Sequence, residues 1–309
     1  MAPKTLEQVL ELRQIDQDVF ETQQYPIWSW PGSKVFPGGT LMAQASAAAF
    51  ETVSSDFAID TVQAYFLAGT NPDIPVVHRV KRLSDGGRFV TRVITAEQKG
   101  GVMGHITCSF VRYAALDGRS MVHSVQRQGK QTIDSITLDD LEIGRNEYGP
   151  YMKFQRLPLE GVGASPTVGR TSPASTLYTS VAAISPEITT SSSRLHALGI
   201  IALSDYHILD AAPTLHNHSF GLPRINDSAR KPTDQDFKMY TSLNHTVHFR
   251  RHDGFRADDQ CYIEVTSPWA DRRRAEMQSR IFDRRGELIA SCVQEAYYVL
   301  KEGEAKTKL

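Results

Sequence analysis

Asp205 occupies the position in this chain that most directly suggests acid–base chemistry. It closes an apolar run that begins at Ala197, and this run predicts a buried helix over residues 193–205. Burial and the negative end of a helix dipole both raise the pKa of a carboxyl group. A raised pKa makes a carboxylate a better general base near neutral pH, unless hydrogen-bond donors reverse the shift. The competing interpretation is a helix-ending aspartate that faces solvent.

Gln294 stands out by the periodicity of the last predicted strand, residues 286–300. Period-2 alternation places it on one face with apolar neighbours only; these are Leu288, Ala290, Cys292 and Ala296. A buried amide without hydrogen-bond partners costs about 1–3 kcal/mol, so we expect Gln294 to be paired. The pairing would be either catalytic or purely structural.

Ser242 is the third candidate, on a strand predicted over residues 239–251. Strict alternation places it on the more polar face with Asn244, whereas Leu243 and Val247 lie on the apolar face. If the polar face looks outward, Ser242 is a surface serine. A β-bulge would turn its side chain to the other face.

Gly38 and Gly39 precede Thr40, which is a plausible N-cap for an alanine-rich helix within residues 37–53. Backbone N–H groups at a helix start can stabilise an oxyanion, and glycine lets a reacting carbonyl approach closely. An ordinary helix-start turn is the alternative.

Other motifs favour no second chemistry. No G-x-S-x-G elbow is present, and Gly161 and Gly163 lack the context of a phosphate-binding loop. Five histidines cluster in sequence, but on one strand His245 and His248 would point to opposite faces, so we predict no metal site; the others are His216, His218 and His252. The Arg272-Arg273-Arg274 run is typical of a solvated hairpin, and a contact with the phosphate groups of a ligand is the alternative.

The elements that must position these residues occur twice in the chain. A helix within 37–53 is followed by predicted strands at 58–67, 75–83, 87–98 and 101–113. The helix at 193–205 is followed by predicted strands at 239–251, 259–267, 273–285 and 286–300. The sequences of the last hairpins of the two halves also align at a constant offset. We therefore interpret the two halves as copies that arose by internal duplication.

The segment between the halves changes character and is rich in Gly, Pro, Ser and Thr at 157–175. A second irregular stretch is predicted at 206–238. We therefore divide the chain into an N-terminal unit at 1–115, a linker and irregular crossover at 116–185, and a C-terminal unit at 186–309.

Several stretches resemble the acyl-CoA thioesterase II family. They are FPGGTLMAQASAAAFETV at 36–53, residues 64–98, LSDYHIL at 203–209, SLNHTVHFRR at 242–251 and ELIASCVQEA at 287–296. The resemblance covers both halves and is poor at 114–175 and 210–238. It implies an α+β double hotdog, in which two antiparallel sheets are each wrapped around a central helix.

The resemblance also implies hydrolysis of an acyl-CoA thioester, without metal or organic cofactor, by an Asp, a Thr and a Gln. Asp205 and Gln294 match, whereas Ser242 stands in the place of the Thr. Water would attack the thioester with Asp205 as base and with Ser242 and Gln294 positioning the water. Gly38, Gly39 and His245 are assigned to the substrate and oxyanion side. The family also forms homo-oligomers, which we expect here.

The chain departs from the family pattern at three places. Besides Ser242, Asn244 replaces an Asp, and TLYTSV at 176–181 replaces a Trp-x-Arg strand. These departures keep two alternatives open. One is a double-hotdog enzyme of specialised metabolism that performs acyl transfer, dehydration or cyclisation. The other is a non-catalytic acyl-binding protein.

The composition excludes several classes of partner. Among 309 residues, 34 Lys and Arg against 35 Asp and Glu leave a net charge of −1, which gives no electrostatic basis for binding nucleic acid or an anionic membrane. Cys108, Cys261 and Cys292 fit neither a disulfide framework nor a zinc spacing. No apolar run approaches a membrane span and no secretory signal is visible, so we expect a soluble intracellular protein.

The sequence ends in Thr307-Lys308-Leu309, which is similar to the Ser-Lys-Leu peroxisomal address with Thr at the small-residue position. It predicts a peroxisomal location, with the cytoplasm as the alternative.

Overall fold

The computed structural model describes residues 4–29, 33–128, 151–157, 176–206, 208–216, 218 and 236–301, and the backbone of 142–143. The C-terminal tripeptide, all of 158–175 and most of the predicted irregular stretch 206–238 lie outside these residues.

The first half begins with a short N-terminal helix and hairpin and continues with one long helix and four strands. Its elements are α1 (Leu6–Val9), β1 (Leu12–Asp16), β2 (Val19–Thr22), α2 (Gly38–Phe50), β3 (Phe57–Phe66), β4 (Val77–Asp85), β5 (Phe89–Gln98) and β6 (Gly101–Arg112). The helix and the four long strands confirm the sequence prediction.

The second half repeats this order after three additional strands. Its elements are β7 (Glu142–Ile143), β8 (Met152–Arg156), β9 (Tyr178–Ile184), α3 (Ser193–Ser204), α4 (Ala211–Leu215), β10 (Phe237–Phe249), β11 (Cys261–Asp271), β12 (Arg274–Phe282) and β13 (Leu288–Leu300). The predicted helix and four strands of this half are again confirmed.

The predicted linker at 116–185 is wrong where β7, β8 and β9 lie. β9 pairs with β11, β8 pairs with β9, and β7 pairs with β8, so all three extend the sheet of the second half. The second unit therefore starts before residue 186. β9 is buried throughout, so period-2 alternation does not mark it. β7 has two residues, and β8 alternates over only five, which is a weak signal.

All strands belong to one antiparallel sheet of 13 strands, in the order β1-β2-β4-β5-β6-β3-β10-β13-β12-β11-β9-β8-β7. The double hotdog is confirmed, and its two predicted sheets are joined edge to edge. The joint is the pairing of β3 with β10, in which Tyr65 lies opposite Asn244 and Thr61 opposite His248.

The two long helices pack against each other on the inner face of this sheet. Every residue of α2 from Gly39 to Phe50 is buried, which explains why the helix carries small residues on all of its sides. Gly199 of α3 is equally constrained, because a Cβ there would lie 2.6 Å from the side chain of Ala257. The helices run antiparallel, since the start of α2 meets the end of α3.

Arg194, in the first turn of α3, holds the opposite end of this helix pair. Its guanidinium donates to the backbone oxygens of Phe50, Val53 and Ser54, where α2 ends. It also lies 4.7 Å from the centre of the Phe50 ring. A cation at the carbonyl end of a helix is stabilising, so Arg194 acts as a side-chain cap supplied by the neighbouring helix.

Within the described residues, none of the helices has the length and apolar character needed to cross a lipid bilayer. The three cysteines are buried free thiols. Burial raises the pKa of Cys108 and of Cys292 to about 12, so these thiols stay protonated.

Candidate active site

Asp205 forms the C-cap of α3, and its carboxylate points at the start of α2. Its Oδ2 accepts a hydrogen bond of 2.7 Å from the backbone N–H of Gly39. Its Oδ1 accepts one of 2.6 Å from Nε2 of Gln294. The residue is only 9 % exposed, so the interpretation as a solvent-facing aspartate is wrong. The site combines the first half, which supplies Gly39, with the second, which supplies the side chains.

The structure leaves no room for a side chain at either of the two glycines that begin α2. A Cβ on Gly39 would lie 2.7 Å from the backbone oxygen of Ala202 and 2.8 Å from Cβ of Asp205. A Cβ on Gly38 would lie 2.7 Å from the ring of Phe66. The close neighbour of Gly39 is thus the end of α3 and that of Gly38 is Phe66, whereas the sequence pattern predicts the approach of a reacting carbonyl.

The predicted N-cap at Thr40 is wrong. The helix starts three residues earlier, with Pro37 as its N-cap, and Thr40 is its third residue. The early start directs the N–H of Gly39 at Asp205, so the carboxylate accepts a hydrogen bond that a helix N-terminus otherwise gives to a side-chain cap or water.

We expect Gly39→Ala to destabilise the fold by about 1–3 kcal/mol, because backbone atoms of α3 cannot yield to the added methyl group. Activity should fall as well, since α3 must move away with Asp205. Gly87→Ala is the matched control, because a Cβ there meets nothing within 4 Å. Urea unfolding of both variants measures the difference, and equal midpoints would contradict the prediction.

Gln294 lies opposite His245 in the β10–β13 ladder, on the inner face with Ala290 and Ala296. It is fully buried, and its Nε2 donates both to Asp205 and to Oγ of Ser242, the latter at 2.7 Å. The predicted pairing is therefore present. Its Oε1 is buried and has no hydrogen-bond partner within the described part of the chain. A buried acceptor of this kind calls for a water or a substrate group.

Ser242 reaches this site because β10 contains a bulge. Ser242 pairs with Ala296 and Asn244 with Glu295, so Leu243 is the extra residue. The bulge turns Ser242 to the same face as His245, which strict alternation did not predict. Because Oγ of Ser242 accepts from Gln294, its own hydroxyl hydrogen remains to be donated elsewhere.

His245 lies beside this group rather than within it. Its Nε2 is 2.8 Å from Oγ of Ser204, the last residue of α3. Burial lowers the pKa of His245 to about 3, so its ring is neutral. This contact fixes the turn that presents Asp205. His248 lies on the other face, as predicted, with Nδ1 3.3 Å from Oγ1 of Thr61.

Burial raises the pKa of Asp205 to about 6, and three hydrogen-bond donors oppose this rise: the Gln294 amide and the backbone N–H groups of Gly39 and Gly38. The dipole of α2 acts with these donors, because its positive end faces the carboxylate. Burial is the larger effect. Asp205 is therefore ionised at neutral pH, with a pKa high enough to accept a proton.

Sequence reasoning missed two residues beside the site. Oγ1 of Thr40 lies 2.5 Å from the hydroxyl of Tyr151, which is 2 % exposed. Burial raises the pKa of Tyr151 well above its usual range, and the charge of Asp205 adds to the effect. Tyr151 falls in the segment predicted as a linker, where the family resemblance is poor, and no periodicity marked it.

The departure at TLYTSV lies on β9, next to a buried ion pair. The hydroxyl of Tyr178 donates to Oδ2 of Asp210 at 3.0 Å, and Arg156 donates to the same oxygen at 3.1 Å. No hydrogen bond joins this group to Asp205 within the described residues. The described residues also contain no cluster of three or more potential metal ligands.

Comparison with known proteins adds independent findings. The chain matches the family model for the acyl-CoA thioesterase N-terminal domain over residues 26–111 and the model for the C-terminal domain over residues 142–298. It is 27 % identical to mouse acyl-coenzyme A thioesterase 8, over 97 % of this chain and 91 % of that protein. It is 24 % identical to the peroxisomal acyl-coenzyme A thioester hydrolase 1 of Saccharomyces cerevisiae, over 97 % and 95 %.

Among solved structures, the chain resembles the acyl-CoA thioesterase II TesB2 of Mycobacterium marinum. The TM-score is 0.72 at 23 % identity, and the match covers 97 % of this chain and all of that one. This likeness supports the fold. Because the two family models together span most of the sequence, the chain belongs to the acyl-CoA thioesterase family.

Proposed function

We propose that this protein hydrolyses an acyl-CoA thioester to the free acid and coenzyme A, with Asp205 as general base. The observation that carries the proposal is the buried Asp205 carboxylate, held by Gly39 and Gln294 with the Ser242 hydroxyl on the same amide. The names of the mouse and yeast relatives support the reaction.

In the proposed mechanism a water molecule gives a proton to Asp205 while its oxygen adds to the thioester carbonyl. The tetrahedral intermediate collapses by breaking the C–S bond, and the thiolate takes the proton back from Asp205. Both hydrogens of Nε2 of Gln294 are already donated, so its buried Oε1 is the atom that accepts a hydrogen bond from the water. Ser242 donates its free hydroxyl hydrogen to the water or to the developing oxyanion.

Release of free thiol from a panel of short, long and branched acyl-CoA esters tests the proposal. In water enriched in oxygen-18, hydrolysis places one solvent oxygen in the acid, whereas acyl transfer, dehydration and cyclisation do not. Labelled acid from any ester supports the proposal. Binding of the esters without release of thiol would favour a non-catalytic acyl-binding protein.

Ser242 has its own test, because the family has Thr at this position. We expect Ser242→Thr to retain activity and Ser242→Ala to lower kcat by about 10²-fold, which is typical of a lost donor at a reacting oxygen. Thr241→Ala is the matched control, since Thr241 is the exposed neighbour on the strand. If Ser242→Ala keeps the kcat of the wild type, Ser242 has no part in the reaction.

We also propose a peroxisomal location, and the name of the yeast relative, a peroxisomal thioester hydrolase, supports it. A fluorescent protein fused to the N-terminus should collect in peroxisomes, and removal of Thr307-Lys308-Leu309 should disperse it. A cytoplasmic signal from the intact fusion would contradict the proposal.

The expected homo-oligomer is likewise a proposal, based on the family resemblance. Light scattering coupled to size-exclusion chromatography gives the mass in solution, and a mass of one chain at micromolar concentration would contradict it.

A further inference from the structure

The turn between β11 and β12 has an unusual backbone for its sequence. Asp271 pairs with Arg274, so only Arg272 and Arg273 form the turn. Both have positive φ, 48° and 66°. A two-residue hairpin turn with this geometry is type I′, which strongly favours Asn-Gly.

Two bulky residues in the left-handed region destabilise the fold relative to Asn-Gly. Among the described residues they are the only adjacent pair of non-glycine residues with positive φ. Lys99, for comparison, is followed by Gly100 in the turn between β5 and β6. Residues with a strained backbone persist where the surrounding structure holds them, and they cluster at functional sites.

The charges of these arginines are not neutralised by the fold. Arg273 is exposed and has no carboxylate within ion-pair distance in the described part of the chain. Arg272 is 88 % exposed and reaches only Asp271, at 3.7 Å. The next residue, Arg274, is already bound to Glu295 at 3.0 Å. The tip thus presents two exposed guanidinium groups, and Asp271, beside Arg272, is the one carboxylate within ion-pair distance of either in the described residues.

The tip lies at the site's end of the sheet. Ser242 pairs with Ala296, and Ala296 pairs with Ala275, which is two residues from Arg273. Two strand spacings and two residue rises give a separation of about 12 Å between Ser242 and Arg273 along the sheet. The backbone oxygen of Arg273 also accepts a 2.7 Å hydrogen bond from the N–H of Tyr298, which anchors the turn to β13.

We propose that Arg272 and Arg273 bind the phosphate groups of coenzyme A, while the thioester lies at Asp205 and Ser242. The inference rests on the proposed function, since it assigns one part of that substrate. The pantetheine arm separates the phosphates from the thioester by a distance of the order found here. Guanidinium groups are suited to phosphate oxygens, because they donate two parallel hydrogen bonds.

The test uses the full chain with the double variant Arg272→Asn, Arg273→Gly. This variant installs the preferred type I′ turn, so its melting temperature should equal or exceed that of the wild type. Arg285→Gln is the matched control: Arg285 is 71 % exposed in the hairpin at the other end of β12. Calorimetry measures the binding of coenzyme A and of pantetheine, which lacks the phosphates. Kinetics compares acyl-CoA with the matching acyl-pantetheine.

We expect the double variant to bind coenzyme A at least about 10-fold more weakly and to show a raised KM for acyl-CoA at unchanged kcat. Pantetheine binding and acyl-pantetheine hydrolysis should not change, and Arg285→Gln should behave as the wild type. Equal coenzyme A affinity in the wild type and the double variant would overturn the proposal, as would a wild type that does not bind coenzyme A. If binding depends on the arginines but no thioester is hydrolysed, the phosphate site stands and the proposed hydrolysis fails.

Discussion

Asp205→Asn should lower kcat for thioester hydrolysis by about 10³-fold while the chain stays folded. The amide keeps the volume of the carboxylate and can still accept a hydrogen bond from Gly39. It cannot take a proton from water. Thiol release by purified wild type and variant measures the effect. Asp60→Asn, which removes a half-exposed carboxylate bound to His252, should leave kcat unchanged.

The pH dependence of the wild type provides an internal check of this assignment. Because the pKa of Asp205 is raised to about 6 and the base must be ionised, kcat/KM should decrease as the pH falls through about 6. It should be constant above that value until another group titrates. A Asp205→Asn variant with wild-type kcat, or a profile that does not change between pH 5 and pH 8, would remove Asp205 from the mechanism.

The raised pKa of Asp205 also predicts that the stability of the fold decreases with rising pH, whereas the activity increases. The pKa of Asp205 rises on folding, so the folded state retains the proton better, and ionisation of the carboxyl group destabilises the fold. The folded protein with protonated Asp205 is therefore more stable than the folded protein with ionised Asp205. This extra stability is fully present below the unfolded pKa near 3.8 and is lost as the pH rises through about 6. The difference corresponds to about 3 kcal/mol. Asp205→Asn should therefore unfold at higher urea concentration than the wild type at pH 8, and this difference should shrink at pH 4.

Gln294→Met should lower kcat by about 10²-fold and move the acidic limb of the pH profile upward. Methionine fills a similar volume without an amide, so the packing is preserved. The variant loses the donor to Asp205, which holds the pKa of that carboxyl group down. It also loses Oε1, the proposed acceptor for the water.

Gln278→Met is the control for Gln294→Met, because Gln278 is an exposed glutamine on the neighbouring strand β12. A lowered kcat with the acidic limb still at the wild-type pH would mean that Gln294 contacts the substrate but does not set the pKa of Asp205.

The long helix and the four long strands of each half, and two of the site residues, could be predicted from the sequence because local patterns determine them. The apolar run before Asp205 defines both its burial and its position at the helix end. The alternation in β13 identifies Gln294 as the one amide on an apolar face. Ser242 could not be placed in this way, since the bulge at Leu243 becomes visible only when β10 is paired with β13.

The role of Gly39 required the tertiary structure for a related reason. Its sequence context indicates a helix start. That its N–H donates to the Asp205 carboxylate follows from the antiparallel packing of α3 against α2. The strands β7, β8 and β9 escaped prediction for different reasons: β9 is buried throughout and does not alternate, β7 has only two residues, and the alternation of β8 extends over only five.

The helix pair has a further consequence for the number of sites in the chain. Both helices end on an acidic C-cap, Glu51 for α2 and Asp205 for α3. At one end, glycine at the start of α2 admits the Asp205 carboxylate. At the other end Arg194 covers the carbonyls of α2, and Glu51 is left exposed to solvent. A duplicated fold has thus lost its symmetry, and titration with a tight-binding, non-hydrolysable substrate analogue should count one site per 309-residue chain.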